Sequence, residues 1–302
     1  MPATSTLDAL LQELRARLQA TGIEAPGLEA RMLLGAATGL DTAQLIAHGT
    51  DPATAEQAAR ADTLCQRRCA GEPMAHILGR RSFWTLELGV SPACLIPRPE
   101  TELLVEQALA AIDNSSHRHP RVLDLGTGTG AIILALKAER PAIEAVASDH
   151  SLEALRQARA NAATLGLDVA FLQGVWLKPL KPGGTFDVIV SNPPYIAPND
   201  PHLTRGDLRF EPLSALVAAD VGMADLRTII HTAGEHMAPS APLLLEHGFD
   251  QAHAVRAMFE DAGYTAIRSH IDTGGHERIT KGLLISDESQ PGSLGEPPPG
   301  VR

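Results

Sequence analysis

Arg121-Val-Leu-Asp-Leu-Gly-Thr-Gly-Thr-Gly130 is the stretch that decides the fold. Residues 121–125 read as a buried strand. Gly126, Gly128 and Gly130 then turn the chain tightly and let a ligand approach the backbone where a Cβ would obstruct it. The apolar run 131–140 follows as a helix. A second strand, 143–148, delivers Asp149, 23 residues past Gly126. Strand, glycine loop, helix, strand and distal acid together form the nucleotide-binding half of a doubly wound sheet.

The alternation continues outward. Residues 169–173, 186–190 and 242–246 are strand candidates, and 152–165, 224–237 and 251–263 are helix candidates. This predicts a mostly parallel sheet covered on both faces. The strands 265–271 and 278–285 follow each other without a helix, so they are expected as an antiparallel edge hairpin. The tail 286–302, rich in Pro, Gly and Ser, is expected to be disordered. Upstream, residues 1–75 read as about four helices. Leu7, Leu10, Leu11, Leu14 and Leu18 recur at helical spacing. Ser5 with Asp8 reads as a capping-box-like start. Asp41 caps a short third helix, and Asp51-Pro52 reads as the N-terminus of a fourth. Residues 76–100 read as a β-hairpin linker, with Phe83 to Leu88 as an alternating stretch.

The 302 residues correspond to about two domains at a typical ~150 residues each. With 44% hydrophobic residues the chain can bury real cores. No apolar run approaches the ~18 residues that cross a bilayer, and no signal peptide is visible, so no membrane and a cytoplasmic location are expected. Cys65, Cys69 and Cys94 cannot build a disulfide framework. Cys65 and Cys69 sit four apart on one helix, without two further ligands, so no metal is expected. The net charge of −11 argues against broad binding to nucleic acid.

Two ligands fit the loop Gly126, Thr127, Gly128, Thr129 and Gly130. Gly126-x-Gly128-x-x-Ala131 satisfies the dinucleotide pattern, so NAD is a candidate. Asp124, two residues before the first glycine, suits a cation better than a pyrophosphate, which favours S-adenosylmethionine. Asp149 stands where it can accept both hydroxyl protons of a ribose.

Asn192-Pro193-Pro194-Tyr195 follows the strand 186–190 at the sheet edge where ligands sit. The Asn192 side-chain oxygen and the Pro193 carbonyl can accept both protons of a planar NH2 group. Tyr195 offers a flat face for stacking. Holding both N–H bonds from outside turns the nitrogen lone pair toward a methyl donor, and in-line transfer then gains from proximity. The motif leaves open whether that NH2 belongs to glutamine, adenine or cytosine.

The chain resembles the HemK/PrmC family, the peptide chain release factor N(5)-glutamine methyltransferases. The likeness covers residues 7–284. It rests on Gly71-Glu-Pro-Met-Ala-His-Ile-Leu-Gly79, Leu95-Ile-Pro-Arg-Pro-Glu-Thr-Glu102, the glycine loop, Ser191-Asn-Pro-Pro-Tyr195, Arg209-Phe-Glu-Pro212 and Leu244-Leu-Glu-His-Gly248. The resemblance implies a Rossmann-like class I S-adenosylmethionine-dependent methyltransferase domain over 101–285. It also implies a helical substrate-docking domain over 1–75 and a hairpin linker over 76–100. It implies methylation of the glutamine in the Gly-Gly-Gln motif of class I release factors, with S-adenosylhomocysteine as product. On that reading Gly126 to Gly130 hold the methionine part of the cofactor, Asp149 its ribose and Trp176 its adenine. Asn192, Pro193, Pro194 and Tyr195 hold the substrate, with Asn192 also near the cofactor. The chain has Val175 where relatives often carry an acid, and Glu100 where an Asp is common. Competing readings are an adenine methyltransferase acting on nucleic acid, an NAD-dependent oxidoreductase and a non-catalytic cofactor-binding adaptor. His247 is read as structural. Arg98 and Glu100 are read as closing over the site or pairing with each other.

Overall fold

The computed structural model describes residues 5–181 and 185–284; the tail expected to be disordered and the last residue of the expected final strand lie outside them. Five helices come first: α1 (Leu7–Ala20), α2 (Pro26–Thr38), α3 (Thr42–Ala47), α4 (Ala55–Cys69) and α5 (Met74–Leu78). The leucine stripe of α1 packs with Leu33 and Leu34 of α2 and Ala61 and Cys65 of α4, in a hydrophobic core separate from those of the sheet. α3 starts on the Asp41–Gln44 capping box.

Two helix starts differ from expectation. Thr6 caps α1, its hydroxyl accepting the Ala9 N–H at 3.2 Å, in place of Ser5. α4 starts on a Thr54–Gln57 capping box, beyond Asp51-Pro52. That box satisfies two helix-end groups reciprocally, whereas Asp at Ncap satisfies one. Asp51-Pro52 instead runs beside the start of α1, where Leu7 N–H donates to the Asp51 carbonyl at 3.0 Å.

The hairpin pairs β1 (Arg80–Phe83) with β2 (Leu86–Gly89). The turn falls at Trp84-Thr85, within the stretch expected to alternate as a strand. Trp84 takes φ 54°, a conformation rare outside glycine. Two hydrogen bonds at 2.8 Å hold it: its N–H donates to Glu102 and its indole Nε1 to Glu139.

A 3-10 turn, Pro99–Thr101, leads into α6 (Glu102–Asp113). The order is then β3 (Arg121–Leu125), α7 (Ala131–Glu139), β4 (Glu144–Asp149), α8 (Leu152–Leu165), β5 (Ala170–Gln173) and β6 (Val188–Ser191). The short helices α9 (Leu213–Leu216) and α10 (Ala219–Gly222) follow, then α11 (Ala224–Ala233), β7 (Pro242–Glu246), α12 (Ala252–Asp261), β8 (Tyr264–Ile271) and β9 (Glu277–Leu284). Strands align as β5-β4-β3-β6-β7-β9-β8. The first five are parallel; β9 runs antiparallel between β7 and β8. Neighbouring residues serve opposite faces. Val122, Val188, Val190 and Leu244 enter one core with α6 and α7, while Leu123, Ile189, Leu243 and Leu245 enter the other with α11 and α12.

Strand order reverses between β3 and β6, the place where such sheets bind ligands. Leu125 lies opposite both Ser148 and Ser191. Gly126, Asp149 and Asn192 therefore leave three neighbouring strands side by side. No helix among the described residues is long and apolar enough to cross a membrane.

Candidate active site

Above these strand ends lies a cavity of about 300 Å³, lined in part by Gly126, Asp149, Trp176, Asn192 and Asp225. The loop is anchored from below: Gly126 N–H and Thr127 N–H both donate to the Ser148 carbonyl, at 2.8 and 3.0 Å. Gly126 has φ 71°, and a Cβ there would stand 3.2 Å from the Trp176 ring. Only glycine satisfies both the turn and this approach.

Asp149 bridges the loop and the next helix. Its Oδ2 accepts Gly128 N–H at 2.9 Å and its Oδ1 accepts Ser151 N–H at 2.8 Å. Each carboxylate oxygen keeps acceptor capacity for a hydroxyl. Asp124 behaves differently from the sequence expectation. It lies under the loop, fully buried and outside the cavity lining, so it faces no ligand. Its Oδ2 accepts the Thr127 hydroxyl at 2.6 Å, its Oδ1 has no protein partner, and burial pushes its pKa up to about 7.

Trp176 closes one wall at φ 50°. Its indole Nε1 donates to Asp225 Oδ1 at 3.2 Å. Asp225 is a cavity acid that the sequence reading missed. It sits 49 residues further on, in the first turn of α11, and no local pattern connects the two. Val175 also lines the cavity and is exposed.

The Asn192–Tyr195 turn separates two cavities. Asn192 and Pro194 face the first, and Pro193 is buried. Tyr195 lines a second cavity, of about 440 Å³, with Arg98, Glu100, Arg205, Glu246 and Arg278. Asn192 Nδ2 donates to Thr101 Oγ1 at 3.1 Å, which leaves Oδ1 for other donors. The Tyr195 hydroxyl donates to Glu246 Oε1 at 3.3 Å, and burial raises its pKa. Behind the turn, Gln251 Nε2 donates to the Tyr195 carbonyl at 3.0 Å while Gln251 Oε1 accepts Gly248 N–H at 2.8 Å. Gly222, at φ 85°, presses on that carbonyl so closely that a Cβ would lie 2.2 Å from it.

Arg98 faces both cavities and pairs with Glu211, at 2.6 Å, in place of Glu100. Glu211 has a fully buried side chain and needs a countercharge, whereas Glu100 is exposed to water. Even so, burial pushes Glu211 up to about 7 against the pull of Arg98. His247 is buried and satisfied. Its Nδ1 donates to the Gly248 carbonyl and its Nε2 meets the Thr280 hydroxyl, at 2.9 and 2.8 Å. Cys65 and Cys69 are free thiols 3.9 Å apart, and burial pushes Cys65 up to about 11. No cluster of three metal-ligating side chains occurs among the described residues.

Residues 9–79 match the PrmC N-terminal domain and residues 99–205 the methyltransferase small domain. Release factor glutamine methyltransferase of Salmonella typhimurium is 50% identical over 86% of this chain and 92% of its own length. The enzyme of that name from Escherichia coli is 48% identical over 90% of this chain and 96% of its own. The chain belongs to the release factor glutamine methyltransferase family. Family membership accounts for the class I methyltransferase architecture. A methyltransferase from Pyrococcus furiosus shares that fold at 18% identity, with a TM-score of 0.51 over 73% of this chain and 98% of the other. The family is S-adenosylmethionine-dependent, and the cavity fits that cofactor: the loop turns through Gly126 at a positive φ where a Cβ would crowd the Trp176 ring, two acids line the space, and a tryptophan walls one side.

Proposed function

We infer that the protein methylates the side-chain amide nitrogen of the glutamine in the Gly-Gly-Gln motif of class I peptide chain release factors, using S-adenosylmethionine. The observation that carries this reading is the position of Asn192, one strand away from the glycine loop and on the wall of the same cavity. An amide acceptor thus stands on the wall of the cavity assigned to the cofactor.

The residues divide the work. Gly126, Thr127, Gly128, Thr129 and Gly130 offer backbone to the methionine part of the cofactor. Asp149 accepts from the ribose hydroxyls, and the Trp176 ring covers the adenine. Asn192 Oδ1 and the Pro193 carbonyl each accept one proton of the glutamine NH2, and Pro194 fixes the turn. Tyr195 faces the second cavity, so its ring borders the path of the substrate backbone. Bound in the cavity, S-adenosylmethionine would supply a sulfonium-activated methyl to the amide nitrogen, the C–S electron pair remaining on sulfur. The nitrogen then releases one proton to water. No buried base is needed, which agrees with a fully bonded His247. The helical residues 1–75 and the hairpin position the release factor.

Incubation with labelled S-adenosylmethionine and either a class I release factor or DNA tests the reading. Label is expected on the release factor glutamine. Label on DNA adenine and none on the factor replaces it with the nucleic-acid alternative.

A further inference from the structure

The segment Ile96-Pro-Arg-Pro-Glu-Thr-Glu102 has one buried hydroxyl, Thr101, that the functional assignment leaves unused. Thr101 Oγ1 accepts the Asn192 Nδ2 hydrogen at 3.1 Å. A threonine hydroxyl has one hydrogen to give and two lone pairs to receive. With one lone pair committed to Asn192, the Thr101 hydrogen needs an acceptor, because an unmade bond in a buried site is costly. Glu246 stands nearby, 1% exposed; burial pushes its carboxyl up to about 7, and the Thr101 hydroxyl pulls it back only in part. Glu246 Oε1 takes the Tyr195 hydroxyl, while Oε2 has no hydrogen-bond partner.

We propose, on the glutamine-methylation reading, that Thr101 is the positioning residue that holds the Asn192 amide with Nδ2 bound and Oδ1 presented to the substrate NH2. The Thr101 lone pair that receives the Nδ2 hydrogen sets which way the amide faces. Remove the hydroxyl and that hold on Nδ2 is lost. The Asn192 amide can then flip and present an NH2 where an acceptor is required. Thr101 also lines the cofactor cavity, but in this scheme it acts through Asn192.

The test compares Thr101→Val, which keeps the shape without the hydroxyl, with Thr101→Ser, which keeps the hydroxyl. Single-turnover methylation of a class I release factor is measured at saturating S-adenosylmethionine. Thr101→Val is expected to slow transfer by roughly 10- to 100-fold, with cofactor affinity and the KM for the factor within about threefold of parent. Thr101→Ser is expected to restore the rate to within about threefold. In an Asn192→Ala background, Thr101→Val should add no further loss, because the two act as a unit. Parental rates in Thr101→Val, failure of serine to restore the rate, or an equal loss in the Asn192→Ala background each overturn the proposal. If Thr101→Val does not fold, Thr101→Ala serves instead. It is expected to slow transfer equally, and a parental rate there overturns the proposal too. If the parent protein methylates no release factor, it is the functional reading that fails. The proposal is then judged by the side-chain NH2 signals of Asn192 in 15N-labelled protein, assigned by their loss in Asn192→Ala. They are expected to shift in Thr101→Val and not in Thr101→Ser; signals that stay in place overturn it.

Discussion

Asp149 binds its own backbone on both sides, to Gly128 and Ser151, before any ligand arrives. It therefore holds the loop in shape as well as offering acceptors to a ribose. Asp149→Ala removes both functions, and the loss of a charged hydrogen-bond acceptor costs about 1.5–3 kcal/mol. Calorimetry should show S-adenosylmethionine and S-adenosylhomocysteine binding weakened by roughly 10- to 150-fold. Binding within twofold of parent rejects the ribose assignment. Asp124 makes a second prediction, about pH. Burial raises its pKa from 3.8 to about 7 in the folded protein. The folded state then holds its proton more tightly than the unfolded chain does. The stability it contributes is full below about pH 4 and is lost as pH rises through 7. Asp124→Asn removes this dependence. Plotted as a difference from parent, the variant's unfolding free energy should rise between pH 5 and 8 in urea titrations. A difference that is flat or falls over that range shows that Asp124 is already ionised at pH 5.

At the level of elements, one side chain fastens the linker to the cofactor loop. Asn161 on α8 accepts Gly89 N–H at 2.8 Å and donates to the Gly89 and Thr129 carbonyls at 3.0 and 2.9 Å. The end of β2, the glycine loop and α8 thus meet on one buried amide. Asn161→Ala leaves a buried N–H and two carbonyls unpaired, at about 1–3 kcal/mol. The melting midpoint should fall by roughly 2–12 °C, and cofactor affinity should drop with it, since Thr129 lines the cavity. An unchanged midpoint rejects this. Nothing in the sequence marks Asn161, because its partners lie 72 and 32 residues away and both bond through backbone. The same limit explains Asp225 and the Arg98–Glu211 pair. Local chemistry was legible where partners are close in sequence: the glycine loop, the Asp41 capping box and β3 and β7, whose bounds match expectation. It misled where tertiary bonds outweigh propensity, as at Trp84, whose side chain and backbone are both held by glutamates from other elements.

At the scale of the molecule, the alternation of strands and helices was enough to give the sheet, because parallel strands buried on both faces leave few other arrangements. Residue 75 lies inside α5, whose Ile77 packs into the helical core while Ala75 packs with Val90 and Ile96. α5 itself ends at its C-cap, Gly79. The helical module meets the rest of the chain near the second cavity. Arg68 lies 3.9 Å from Asp207, and Arg209 donates to the Ala70 carbonyl at 3.5 Å. Asp207 lines that cavity beside Tyr195 and Glu246. The helices therefore stand on the side where the substrate backbone would pass, well placed to grip a release factor beyond its Gly-Gly-Gln loop. A chain beginning at Arg80 keeps every residue assigned to the cofactor and should bind S-adenosylmethionine within a fewfold of parent, which also reports that it folds. Its kcat/KM on an intact release factor should fall on the order of 100-fold, equivalent to about 2.7 kcal/mol of lost binding. On a short Gly-Gly-Gln peptide, which never reaches the helices, kcat/KM should be unchanged. Equal losses on peptide and intact factor would place the defect in the catalytic site and reject docking, and no loss on either would leave the helices without a part in recognition.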